Sequence, residues 1–184
     1  METFLKSIPT WNTDLKDYAT LIFDTNVFID CIELKAEGFF DELETHFSTN
    51  ILLPIVEIEF MRTDNSIHRT VFSDIKSKYF RETPVLARNN NDFAKDIQEY
   101  LYSIGTRPEP TDLFLGGYLC EYPNNGFIVT SDLKGFPFPL YERVFYLLIQ
   151  NNNSLKTISF LKINRSVLDD YKSMVQKKIQ SLRQ

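Results

Sequence analysis

The sequence predicts one α/β domain in which helices cover both faces of a mainly parallel sheet. Three observations lead to this prediction. The 184 residues are 43% apolar, which is enough for one substantial core. Short apolar runs such as LIF and FIVT alternate with longer segments of helical periodicity. Strands that alternate with helices form βαβ crossovers, which place parallel strands side by side.

The first half of the chain is predicted to alternate short strands with helices. The apolar run 20–23 is followed by the turn-like triplet Asp24-Thr25-Asn26, and the run 51–53 is ended by Pro54. The helices either repeat apolar residues every three or four positions or begin at a proline. They are predicted from residue 27, over 36–47, and from 54 to about 79 with a break at 63–66.

The second half begins with a strongly amphipathic segment, 92–104, which Gly105 ends. A proline-punctuated loop then leads to a helix from Asp112, and a turn at 123–126 precedes the strand 127–130. The remaining predicted elements are a helix over 141–150, a strand over 157–161 and a final amphipathic helix that holds 167–182.

Composition excludes several classes of protein. No apolar run approaches the roughly 20 residues that span a bilayer, and the opening METFLKSIPTWNTDL lacks the basic start and apolar block of a signal peptide. We therefore expect a cytoplasmic protein without a membrane segment. Cys31 and Cys120 stand apart within apolar stretches, so they are predicted to be core thiols and not a zinc site or redox pair.

The charge of the chain is unevenly distributed. Its net charge of −5 argues at first against a nucleic-acid partner, because Lys and Arg usually supply the affinity for a polyanion. Residues 155–184, however, carry seven basic residues against two acidic ones, a local charge of +5. We interpret residues 1–184 as a single domain in which 155–184 form a basic C-terminal strand–helix extension. The rest of the chain, residues 1–154, is acidic, which fits either a site that binds cations or a solvated surface.

Acidic side chains follow two of the predicted strands. Asp24 comes directly after LIF, and Asp132 comes two residues after FIVT. In parallel sheets ligands bind beyond the carboxyl ends of the strands, so both acids are candidates for a site at that edge. Asp24 is about equally well explained as the cap of the next helix. Thr25 and Asn26 could donate hydrogen bonds to its partly desolvated carboxylate.

Further acids stand near predicted helix starts. Glu57 and Glu59 interrupt the apolar stretch LLPIVEIEFM, where the helix dipole alone would explain one of them, and the residues leave the choice between the two open. Helix capping would explain Asp112 as well as a role in a functional site would. Gly116 and Gly117 in its helix each cost roughly 1 kcal/mol relative to alanine, which favours close backbone packing that would carry Asp112 toward the sheet.

Several carboxylates at one sheet edge raise one another's pKa unless a cation compensates their charge. All-oxygen sites suit Mg²⁺ or Mn²⁺, and a pair of such ions can activate water and stabilise the leaving oxygen in phosphodiester hydrolysis. Metal-dependent hydrolysis of this kind requires no histidine, cysteine or glycine-rich loop.

Four segments between residues 21 and 136 carry a further pattern. LIFDTNVFID has an apolar strand with an Asp-x-Asn signature, IVEIEFMR a hydrophobic-Glu motif, TDLFLGGYL an Asp at the start of a small-residue helix, and FIVTSDLKGF a Val-Thr-x-Asp-x-x-Phe strand end. In this order they resemble the PIN-domain nucleases, a family that includes the toxin ribonucleases of toxin–antitoxin pairs. The resemblance implies an α/β/α sandwich, with three layers and a central parallel sheet.

The resemblance also implies a set of metal ligands that are at the same time the catalytic residues. Glu59 matches the family's Glu better than Glu57, because Phe60 follows it as the family's Leu would. Gly135 departs from the pattern, since many members have a further Asp at that position. The implied site residues are Asp24, Glu59, Asp112 and Asp132.

The leading hypothesis is Mg²⁺- or Mn²⁺-dependent endonucleolytic cleavage of single-stranded RNA, with a toxin of a toxin–antitoxin pair as one setting. RNA is then the substrate, and an antitoxin protein or a second copy of the chain are the protein partners to consider. A haloacid-dehalogenase-type phosphohydrolase is an alternative, although Asn26 stands in place of its acid/base Asp and Phe28 in place of its Thr. A third hypothesis is a catalytically weak PIN-like module that binds RNA or protein.

Overall fold

The computed structural model describes residues 3–5, 19–47, 49–80, 88–151 and 154–182, so most of the opening METFLKSIPTWNTDL lies outside the described residues. The strands are β1 (Thr3–Leu5), β2 (Thr20–Phe23), β3 (Thr49–Ile51), β4 (Gly126–Thr130), β5 (Tyr141–Asn151) and β6 (Ser154–Ile163). The helices are α1 (Thr25–Glu33), α2 (Gly38–His46), α3 (Pro54–Met61), α4 (Ser66–Tyr79), α5 (Arg88–Ser103), α6 (Pro110–Leu119) and α7 (Arg165–Ser181).

The six strands form one mixed sheet in the order β1-β5-β6-β4-β2-β3. The strands β3, β2 and β4 are parallel, and Phe23 of β2 pairs with Val129 of β4. The remaining pairings, β4 with β6, β6 with β5 and β5 with β1, are antiparallel. The expected parallel arrangement therefore holds for the three strands that follow the βα pattern, whereas the sheet as a whole is mixed.

Every residue of β2 and β4 is buried, as expected for strands covered on both faces. Two groups of helices pack around them: α1 contacts α3, α4 and β4, while α6 contacts α5, β2, β4 and β6. This arrangement is compatible with a three-layer sandwich. One part of the core is aromatic, with the Phe23 ring at 5.1 Å from Phe80 and the Phe28 ring at 5.0 Å from Phe72.

The prediction of a helix over 141–150 is wrong, because this segment is the strand β5. Tyr141, Phe145 and Ile149 are buried at intervals of four residues, a spacing typical of a helix. A β-bulge between Arg143 and Phe145 inserts one residue and shifts the side chains that follow to the opposite face of the sheet. The bulge therefore interrupts the alternation of buried and exposed residues that would identify a strand, and a spacing of four residues is also compatible with one face of a helix.

The two glycines of α6 allow close packing, as the sequence predicts. A Cβ on Gly117 would lie 3.1 Å from the backbone nitrogen of Ala94 on α5. A Cβ on Gly116 would overlap the Tyr141 hydroxyl. The start of α6 lies near the carboxyl ends of β2 and β4, since Asp112, Asp24 and Asp132 line one cleft.

The sequence predictions also concern a helix break, the two cysteines, membrane segments and the C-terminal residues 155–184. The break at 63–66 is confirmed, since Asn65 caps α4 through hydrogen bonds from the backbone N–H groups of Ile67 and His68. Cys31 and Cys120 are free thiols in the core, as predicted. No helix in the described part of the chain is long and apolar enough to span a membrane. Within 155–184, β6 lies inside the sheet between β5 and β4.

Candidate functional site

Asp24 lies where the parallel strands β2 and β4 end together. It follows Phe23, the last residue of β2, and its backbone N–H donates to the Val129 carbonyl of β4 over 3.0 Å. The residue is only 3% exposed. Asp24 occupies the N-cap position of α1, yet its side chain makes no capping hydrogen bond. Helix capping therefore does not account for this buried carboxylate.

Two side chains donate hydrogen bonds to Oδ2 of Asp24. The Thr130 hydroxyl of β4 lies 2.7 Å away, and Nδ2 of Asn26 lies 3.3 Å away. Even so, burial raises the pKa of Asp24 from 3.8 to about 6, and the negative charge of Glu59 adds to the rise. Both expected donors are thus present: Asn26 donates through its side chain and Thr25 through its backbone N–H, while the Thr25 hydroxyl donates to Glu59.

Glu59 and Glu57 have different surroundings, although only two residues separate them on α3. The Thr25 hydroxyl donates to Oε2 of Glu59 over 2.6 Å, and Glu59 faces the same cleft as Asp24. Glu57 instead forms an ion pair with Lys76 of α4. The structure therefore places Glu59 with the other candidate acids and gives Glu57 a separate role between two helices.

Asp112 lies in the first turn of α6, and one of its oxygens does serve the helix end. Oδ2 accepts a hydrogen bond from the Glu109 backbone N–H over 3.1 Å. Burial is the main cause that raises the pKa of Asp112 to about 7, and the negative charges of Asp24, Glu109 and Asp132 add to the rise. Capping thus explains one hydrogen bond, but not the placement of a second desolvated acid beside the first.

Asp132 lies at the exposed rim of the same site, two residues beyond β4. The backbone N–H of Asp132 donates to the Thr130 hydroxyl oxygen over 3.0 Å, and Oδ1 accepts from the Lys134 backbone N–H over 2.8 Å. Thr130 is completely buried and also donates to Asp24. One threonine hydroxyl therefore ties the loop that carries Asp132 to the most buried acid.

These side chains line one cleft of about 210 Å³. All four acids implied by the resemblance face it, and Glu109 adds a fifth carboxylate. Arg107 and Lys134 are the cationic side chains that line the cleft in the described part of the chain. The complete lining is Asp24, Asn26, Glu59, Arg107, Glu109, Thr111, Asp112, Asp132, Lys134 and Gly135.

Gly135 lies directly against the carboxyl group of Asp112. A Cβ at position 135 would overlap Oδ2 and Cγ of Asp112, with Oδ1 at 2.9 Å. Any side chain here, including the Asp that many PIN-domain nucleases have, would have to displace Asp112. The departure noted in the sequence therefore coincides with a close contact that a Cβ would disturb unless the Asp112 carboxyl group shifts.

The oxygen donors in the cleft fit a small divalent cation. Asp24 and Asp112 are desolvated acids with raised pKa values, and a cation would compensate the charge of their ionised forms. Among the residues that the structure describes, no three acidic, histidine or cysteine side chains form a preformed metal cage. Mg²⁺ commonly uses one or two carboxylates and keeps several waters, so the residues present fit Mg²⁺ or Mn²⁺.

Sequence reasoning missed Thr130, Arg107 and Lys134 as parts of this site. Thr130 could have been found as the Thr of the Val-Thr-x-Asp strand end, because a buried hydroxyl beside two acids needs an acceptor. Nothing in the sequence marks Arg107 and Lys134 as site residues, since exposed Arg and Lys residues occur all over protein surfaces.

The chain was also compared with known proteins. No protein-family model matches it, and no curated protein sequence is significantly similar to it. The function must therefore be inferred from the cleft itself.

Proposed function

We propose that the chain is a Mg²⁺- or Mn²⁺-dependent endoribonuclease of the PIN-domain type, which hydrolyses phosphodiester bonds of single-stranded RNA. The observation that carries the proposal is the pair Asp24 and Asp112, a buried and a partly buried acid that line one cleft and have raised pKa values. Perturbed acids in a cleft are a common property of catalytic sites. A PIN-like three-layer fold is part of the same proposal, because the four motif segments supply four of the five acids that line the cleft.

Each acid has a separate task in this proposal. Asp24 and Asp112 would hold the ion, since they are the most desolvated carboxylates of the cleft. A bound ion of this kind supplies an activated water and stabilises the leaving oxygen. Glu59 is held in place by the Thr25 hydroxyl and can accept hydrogen bonds from water or a ribose hydroxyl. Asp132 is exposed at the rim of the cleft, where it can orient the RNA strand or the water molecules around it.

A second candidate is a catalytically weak PIN-like module that binds RNA. The observation that favours it is Gly135, which stands where many PIN-domain nucleases have a further acid. The two candidates differ in one measurable respect, which is cleavage that depends on Asp24 and on a divalent ion.

The experiment is a cleavage assay on an end-labelled single-stranded RNA. We expect products with Mg²⁺ or Mn²⁺ and none with EDTA. Asp24→Asn and Asp112→Asn should each lower the rate by about 100-fold or more, the size of effect seen when one electrostatic catalytic group is removed. Asp169→Asn on the exposed surface of α7 is the matched control and should cleave like the wild type.

The outcomes separate the hypotheses. Cleavage that survives EDTA would refute the metal-dependent mechanism, and equal cleavage by Asp24→Asn and the wild type would show that the cleft is not the catalytic site. RNA binding without cleavage would favour the binding module. Release of phosphate from a generic monoester, without cleavage of RNA, would favour the haloacid-dehalogenase-type alternative.

A further inference from the structure

The loop between β4 and β5, residues 131–140, lines the acidic cleft with its first half and presents an aromatic ring to solvent in its second half. Asp132, Lys134 and Gly135 of this loop line the cleft. Phe138 is 81% exposed, more than any other large apolar side chain in the described part of the chain. A phenylalanine side chain left in water forgoes about 1.5 to 3 kcal/mol that its burial would contribute. The ring is therefore available for a ligand.

The exposure of Phe138 is not shared by its apolar neighbours in the loop. Phe136 is 4% exposed and packs edge-on against the Tyr141 ring with centroids 5.1 Å apart. Leu140 is completely buried. The loop is thus anchored to the core on both sides of Phe138, and this anchoring limits how far the ring can move from the cleft.

Two cations lie next to the same cleft. Lys134 is on the loop itself, and Arg107 precedes α6. Both are exposed, and neither forms an ion pair within the described residues. An acidic cleft repels a polyanion, so phosphate groups that approach it need nearby positive charges. Arg107 and Lys134 are the cationic side chains that the cleft offers.

We propose that Phe138, Lys134 and Arg107 form a binding rim for one unpaired stretch of RNA, in which a base stacks on the Phe138 ring while Lys134 and Arg107 contact phosphates. The inference rests on the proposed function and specifies its substrate: a strand whose bases are unstacked and accessible beside the cut phosphate. Aromatic rings combined with cations bind single strands in this way, whereas the bases of a duplex are stacked on one another and cannot reach the ring.

A protein surface is a poorer fit to the same rim. Within the loop 131–140 the exposed large apolar side chains are Phe138 and Leu133, at 81% and 41% exposure. A stable protein interface covers about 800 Å² on each partner, far more than these two side chains offer. The aromatic ring and the two cations instead complement a ligand that alternates flat bases with charged phosphates.

The test measures binding separately from cleavage. Fluorescence anisotropy follows a labelled single-stranded RNA with the Asp24→Asn protein in Mg²⁺, and a gel checks afterwards that the RNA is intact. On this background Phe138→Ala should weaken binding by about 5- to 150-fold, the effect of losing one base–aromatic stack. Phe138→Leu keeps the apolar surface without the ring and should weaken binding similarly. Ile67→Ala, at an exposed position of α4, is the control and should bind normally.

The contributions of Lys134 and Arg107 are measured by the salt dependence of binding. Lys134→Gln and Arg107→Gln should each reduce the slope of log affinity against log salt by about one, because each removes one phosphate contact. Phe138→Ala should leave that slope unchanged. A blunt-ended duplex RNA should bind Phe138→Ala and its parent equally.

Tryptophan fluorescence reports the stack directly. Phe138→Trp should keep the affinity of its parent, and its added fluorescence should be quenched by single-stranded RNA. Ile67→Trp should show no such quenching. The background from Trp11 is given by the parent protein.

The outcomes distinguish this inference from the proposed function. Unchanged affinity in Phe138→Ala, normal binding by Phe138→Leu, an equal loss on duplex RNA, or no quenching in Phe138→Trp would each overturn the stacking rim. None of these results depends on cleavage. Conversely, a wild type that binds through Phe138 but never cuts RNA would retain the rim and refute the nuclease.

Discussion

An ionised Asp24 destabilises the folded protein when no cation is present, because its side chain is almost completely buried. Its pKa rises from 3.8 to about 6. A shift of about two units, at about 1.36 kcal/mol per unit, corresponds to about 3 kcal/mol. Asp24→Asn keeps the shape of the side chain and an acceptor for the Thr130 hydroxyl. We therefore expect this substitution to raise the free energy of unfolding by up to about 3 kcal/mol at about pH 8 in EDTA.

The pH dependence of this gain has a definite sign. Between pH 3.8 and about 6 the folded state keeps a proton on Asp24 that the unfolded state has released. The stability of the wild type therefore falls as the pH rises through this window. The asparagine has no proton to lose. The difference between the two proteins should be largest above about pH 7 and should vanish near pH 4.

Thermal and urea unfolding in EDTA measure the difference. For a chain of this length, about 3 kcal/mol corresponds to a rise in Tm of about 6 to 12 °C. Asp30→Asn is a matched control: Asp30 is also buried, at 6% exposure, but its carboxylate is paired with Lys156 at 2.7 Å. Because Lys156 is partly solvated, the control should lose up to about 1 kcal/mol and should gain nothing.

Two results would refute this reasoning: a stability of Asp24→Asn in EDTA no higher than that of the wild type, or a gain that is as large at pH 4 as at pH 8. Magnesium provides a further check that depends on the proposed function. An ion that binds the folded wild type at 100 times its Kd adds about 2.7 kcal/mol, which would nearly cancel the advantage of the variant.

Two further predictions concern the shape and the composition of the cleft. Gly135→Ala should cost about 1 to 3 kcal/mol of stability, because its Cβ overlaps the Asp112 carboxyl group, and should also reduce cleavage. The double variant Gly135→Ala/Asp112→Ala should recover stability relative to Gly135→Ala in urea unfolding, and strictly additive costs would contradict the contact. Glu59→Gln should slow RNA cleavage strongly, whereas Glu57→Gln should only weaken the ion pair with Lys76, by less than about 1 kcal/mol. Equal rates of RNA cleavage for these two variants would show that Glu59 has no catalytic role.

The ends of strands were the most predictable part of the site. An apolar run ended by an acid is visible in the sequence, and the pairing of Phe23 with Val129 brings the two runs to one edge, so Asp24 and Asp132 share a cleft. The choice between Glu57 and Glu59 could not be made from helical geometry, because it depends on two partners far away in the chain. Lys76 lies 19 residues from Glu57, and Thr25 lies 34 residues from Glu59.

The antiparallel part of the sheet was less predictable, for two physical reasons. The bulge at Arg143 breaks the alternation of buried and exposed residues that identifies a strand. The position of β6 inside the sheet depends on pairing with β4, and periodicity within a segment carries no information about its distant neighbours. Local patterns therefore predict the type of an element better than its place in the sheet.

Because β6 lies between β4 and β5 in the sheet, the order of synthesis on the ribosome determines when β4 can complete its pairing. When β4 leaves the exit tunnel it can pair with β2 on one side, but its other edge has no strand until residues 159–161 follow. Thr130, whose hydroxyl holds Asp24, is itself paired with Ser159 on that edge. The acids can therefore reach their final positions only after β6 has been synthesised and has paired with β4, and pairing across long stretches of chain is the slow kind of folding.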